Sequence, residues 1–79
     1  MKYYVFETEL VSGQQAFLTT PKDDYEQACG LYHQILASCY ANTNLTYALV
    51  MIIDEQGNVV NKTGIDRRVA QIVEETTEE

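Results

Sequence analysis

The thiols and the single imidazole of this sequence, the side chains best suited to nucleophilic or soft-metal chemistry, are Cys29, Cys39 and His33. Cys29 and His33 stand four positions apart, so on a helix a thiol and an imidazole would occupy neighbouring turns, as a cysteine nucleophile and its base require. Such a pair needs a third group to orient the ring. No carboxylate stands three or four positions from His33, so it reads as a boundary residue of a helix and no catalytic residue is assigned. Cys29 and Cys39, ten positions apart on one helix, would lie ~15 Å from each other along its axis, beyond disulfide reach. A single histidine and the lack of a CxxC spacing argue against a metal site. Gly57 and Gly64 stand alone, with no glycine-rich phosphate loop around either. The expectation is a non-enzymatic chain without cofactor or metal.

Binding chemistry has better material. The chain holds six tyrosines, each a flat apolar ring with a polar tip. Tyr40 and Asn42 fall at a helix end, with Asn44 and Tyr47 just beyond. Lys62, Arg67 and Arg68 are three of five basic residues and cluster within seven positions. Arginine beside tyrosine suits a phosphate and a stacked base. The candidate ligand-binding residues are therefore Lys62, Arg67, Arg68, Tyr40, Asn42 and Tyr47. The plain alternative is that the three cations are solvated or pair with the acidic C-terminal run.

The elements that would position these residues follow from periodicity. Residues 2–11 alternate, with Tyr4, Phe6, Thr8 and Leu10 on one face and Tyr3, Val5, Glu7 and Glu9 on the other. Ser12-Gly13 supplies a two-residue hairpin loop. Val11 then lies opposite Gln14, Thr8 opposite Phe17 and Phe6 opposite Thr19, with a second strand over 14–20. Thr20-Pro21 is expected to stop that strand, and Asp23 with Glu26 to cap a helix. Tyr25, Ala28, Cys29, Tyr32, Ile35, Leu36 and Cys39 recur at helical spacing, widened by Leu31. Asn42 is expected to end the helix in the left-handed conformation. Leu45 to Ile53 is apolar on both faces and should be a central strand. A turn over 54–58 leads to a returning strand over 59–63, broken by Gly64. Ile65, Val69, Ile72 and Val73 fit a short second helix.

The fold class is α+β, ββαββ(α): a four-stranded, mainly antiparallel sheet with one long helix on one face and a short C-terminal helix. Residues 1–73 form a single domain, and residues 74–79 an acidic tail expected to be disordered. One helix covers one face only. The other is expected to carry either Thr46, Ala48, Val50 and Ile52 or Leu45, Tyr47, Leu49 and Met51, together with Tyr3 and Val5. That surface exceeds what a monomer usually exposes, so a homo-oligomer is expected, with the C-terminal segment contributing to its contact.

The net charge of −7 is concentrated in Glu74, Glu75, Glu78 and Glu79, leaving eight acids against five bases in residues 1–73. This balance argues against a nucleic-acid polymer as partner. No apolar run is long enough to span a bilayer. Glu7 and Glu9 interrupt what would be a signal-peptide core, so the expected location is the cytoplasm.

The segment YHQILASCYANTNLTYALVMIIDEQGNVV, after an MKYYV start, resembles one in short uncharacterised accessory proteins of phages and prophages of gut Firmicutes. The matching residues are Tyr3, Tyr4 and Val5, Tyr32 through Thr43, Tyr47 through Ile53, and Gly57. Residues 14–20 and those after Val60 stand outside the resemblance. It implies a phage-encoded protein in the host cytoplasm that acts by stoichiometric binding, including antagonism of host defence. Two readings compete: an oligomer that sequesters a small nucleotide-type signal, and an inhibitor that binds a host or phage protein directly. A virion or assembly component is the third.

Overall fold

The computed structural model describes residues 1–68. Four strands, β1 (Tyr3–Val11), β2 (Gln14–Lys22), β3 (Leu45–Asp54) and β4 (Val59–Asp66), form one sheet, and a helix, α1 (Tyr25–Ala41), connects β2 to β3. All pairings are antiparallel in the order β2-β1-β3-β4. The long apolar β3 is thus internal, flanked by β1 and β4.

The β1–β2 hairpin has the register expected from its alternation. Ser12 and Gly13 both take positive φ, 52° and 83°, as a two-residue type I′ loop demands. β2 does not stop at Thr20 but passes through Pro21 to Lys22. In a two-residue hairpin the hydrogen-bonded pairs alternate from Val11–Gln14 outward, which makes Tyr4–Pro21 a non-hydrogen-bonded pair. The missing proline N–H therefore faces the free edge and costs the ladder nothing.

α1 is capped one residue later than expected. Asp24, not Asp23, accepts the Gln27 amide at 2.8 Å, while Asp23 takes the Lys2 ammonium at 2.8 Å. At the other end Asn42 is extended (φ −88°, ψ 107°) rather than left-handed. Its amide still donates to the Cys39 carbonyl at 3.2 Å, and its side chain accepts the Asn44 amide at 2.9 Å, a local turn that re-aims the chain into β3.

β4 likewise runs past Gly64, against the expectation of a break there. Ile65 is not the start of a helix: it lies opposite Ala48 in the sheet and joins the core. The rest of the expected second helix, with Val69, Ile72 and Val73, and the tail over 74–79 lie outside the described residues.

The core forms between α1 and one face of the sheet. Val5, Ala48, Val50 and Ile52 are fully buried beneath Ala28, Tyr32, Ile35, Leu36 and Cys39. Each large aliphatic side chain buried there stabilises the fold by about 1.5–3 kcal/mol. The Tyr32 hydroxyl shares a 2.5 Å hydrogen bond with the Thr63 hydroxyl on β4, tying the middle of α1 to that edge. On the face that the described residues leave uncovered, the second of the two expected β3 sets holds without Leu45, and the expected pair from β1 does not. Tyr3 and Val5 lie on the helix side with Ala48, Val50 and Ile52, and Leu45 is buried with them. The uncovered side instead carries Tyr4, Phe6 and Leu10 of β1 against Ile53, Met51 and Tyr47 of β3, with Leu49 between them.

Candidate binding site

The six expected ligand-binding residues fall into two groups and one outlier. Arg67 gathers Tyr40 and Asn42, but through their backbones. Its guanidinium donates to the carbonyls of Asn42 at 2.6 Å, Leu45 at 2.9 Å and Tyr40 at 3.2 Å. The Tyr40 and Asn42 carbonyls belong to the end of α1, where intrahelical donors run out and partial negative charge collects, and that of Leu45 to the start of β3. Arg67 is thus a clamp closing the α1–β3 junction, its fork matched to three acceptors. The Tyr40 ring stays outside this contact, 61% exposed.

Arg68 and Tyr47 form the second group. The guanidinium sits 5.0 Å over the Tyr47 ring and donates to the Asp66 carboxylate at 3.1 and 3.3 Å. Its pKa is raised first by that hydrogen bond. Asp66 lies opposite Tyr47 in the β3–β4 ladder, which places the group at one margin of the uncovered face. Lys62 occupies the same margin, opposite Met51. Tyr47 and Met51 are four residues apart on a strand, about 13 Å.

A second concavity, absent from the candidates above, lies on the helix side. A cavity of about 180 Å³ is lined by Glu7, Glu9, Leu31, Gln34, Ile35 and Ser38. Burial, and then a hydrogen bond with Glu9, push the Glu7 carboxyl up to about 7. Cys39 faces Glu9 from α1, its thiol donating to Oε2 at 3.6 Å. Burial first, then the nearby Glu9 charge, push that thiol to about 11, far from the thiolate a nucleophile needs. The alternation that put Glu7 and Glu9 on the face of Val5 was the signal for this cavity; that α1 would cover this face was not in the pattern. Its acidic wall suits no phosphate.

His33 is exposed, its ring edge-on to Tyr32 with centroids 5.3 Å apart. Among the described residues no group of three or more His, Cys, Asp or Glu side chains could hold a metal ion, and no helix is long and apolar enough to cross a membrane. Compared with known proteins, the chain matches no family model, no curated protein and no solved structure.

Proposed function

We propose that this chain is a non-enzymatic accessory binding protein that works as a homo-oligomer built on the uncovered face of its sheet. In this reading it holds a small nucleotide-type ligand at the β4 margin of that face, in the phage setting that its resemblance implies. The observation that carries the reading is the Arg68–Tyr47 pair with Lys62 on the same margin. A guanidinium and an aromatic ring offer a stacking surface for a base, and an ammonium about 13 Å along the strand is within span of its phosphates. The charge distribution supports it: apart from Asp66, which pairs with Arg68, the acids Glu7, Glu9, Asp23, Asp24 and Glu26 lie on the helix side or at the α1 start, away from this margin. Arg67 leaves the ligand set, because its donors are taken by backbone carbonyls.

Native mass spectrometry of the protein with a panel of cyclic and ADP-ribose-type nucleotides tests this. The expected result is a fixed number of ligands per subunit, reduced at least about tenfold in affinity by Arg68→Ala or Lys62→Ala. No uptake of any nucleotide overturns the ligand and leaves direct binding to a protein target, a reading that the 61% exposed Tyr40 at the helix end favours.

A further inference from the structure

The uncovered face has a shape as well as an apolar character. One row across the sheet reads Phe17, Thr8, Leu49, Gly64, from the β2 edge to the β4 edge. Phe17 is 74% exposed, a large ring standing free at one end. At the other end Gly64 leaves the row without a side chain.

Nothing among the described residues explains Gly64. Among the described residues the positive-φ glycines are Gly13 and Gly57, so Gly64 needs no special backbone freedom. A Cβ there would meet nothing nearer than 4.0 Å, at the Ala48 carbonyl and Leu49 Cδ1. A glycine in a strand weakens it and commonly marks a place where something approaches closely.

We propose that a second copy of this chain packs on the uncovered face about a two-fold axis parallel to the strands, so that each Phe17 seats over Gly64 of the other copy. Such an axis maps the row onto itself and brings β2 of one copy over β4 of the other, a ring onto a hollow at both ends. Strands of nine residues in a four-strand sheet cover about 30 by 19 Å, near the scale of a specific interface once side-chain relief is counted. Charge selects this axis over its alternative. A two-fold axis across the strands would stack β4 on β4 and bring Lys62 and Arg68 of both copies onto one seam, a like-charge contact that one Asp66 per copy offsets only in part. The parallel axis sets that basic margin against the neutral Gln15, Phe17, Thr19 and Pro21. It also leaves Lys62 beside the incoming ring, where a cation is favoured.

This arrangement rests on the uncovered face being the working surface, but it needs no ligand, so it is tested without one. Sedimentation equilibrium of the full chain should give twice the 9.0 kDa chain mass. Gly64→Val, which fills the hollow with a good strand former, and Phe17→Ser, which removes the ring, should each weaken the dimer at least about tenfold. Leu18→Ser, the neighbouring residue on the other face and 58% exposed, should leave it intact. Circular dichroism melts establish that each variant is folded. A full chain that stays monomeric at a concentration on the order of 100 μM, or a dimer indifferent to both Gly64→Val and Phe17→Ser, overturns the proposal.

Discussion

Glu7 shows what one side chain can cost when the fold turns it inward. Its carboxyl is lifted from 4.5 to about 7, chiefly by burial and then by its hydrogen bond with Glu9. The unfolded chain releases this proton near 4.5, whereas the folded chain keeps it until about 7. Folded stability therefore falls as pH rises through that window and stays low above it. Glu7→Gln keeps a neutral polar group in the same place and removes the dependence. At pH 8 the variant should be more stable than the parent by about 1 kcal/mol, a figure already reduced for the solvent that reaches a half-buried group. In a domain this small that is a rise of about 4–8 °C in Tm. At pH 4 the two should melt together. Thermal unfolding at both pH values decides it, and a parent equally stable at pH 6 and 8 would sink the idea.

At the scale of elements, the α1–β3 junction depends on a residue from the far edge of the sheet. Arg67 reaches back from the end of β4 to the carbonyls of Tyr40, Asn42 and Leu45. Arg67→Ala should cost about 1.5–3 kcal/mol, the range for hydrogen bonds from a charged donor. Arg67→Lys should recover little of it, because an ammonium cannot reproduce the fork. Urea denaturation measures both.

What was legible in the sequence divides along the same lines. The hairpin, its register and α1 were written in local periods of two and 3.6, and the structure has them. The end of β4 was not. Gly64 looks like a break and Ile65 like the first turn of a helix until Ala48 is seen opposite Ile65. The choice of face was hidden for a related reason: β3 is apolar on both sides, so its pattern carries no direction, and only the position of α1 decides. Of the candidate site, Arg68 beside Tyr47 was legible as a nearby pair of types. The clamp role of Arg67 was not, because it is made with backbone atoms 22 to 27 positions away.

At the scale of the whole molecule, the sheet separates its charges. Lys62 and the Arg68–Asp66 pair border the uncovered face, which leaves that border net positive, while Glu7 and Glu9 sit beneath α1 and Asp23 and Asp24 at its start. Anything held at that border by charge should loosen as salt is added, whereas the apolar contact between copies should not. Raising ionic strength from about 0.05 to 0.5 M should therefore lower nucleotide uptake and leave the sedimenting mass unchanged.

Pro21 bears on how large any assembly can grow. The outward N–H groups of β2, at Gln15, Phe17 and Thr19, form a row to which another strand could bond, and the row ends at a residue with no N–H to offer. Replacing it by threonine would lengthen the row by one donor and should raise light scattering on prolonged incubation. Growth by adding strands at an edge has no natural end, whereas two faces closed on each other leave nothing further to recruit. One imino acid near the end of β2 thus favours a countable particle over a fibre.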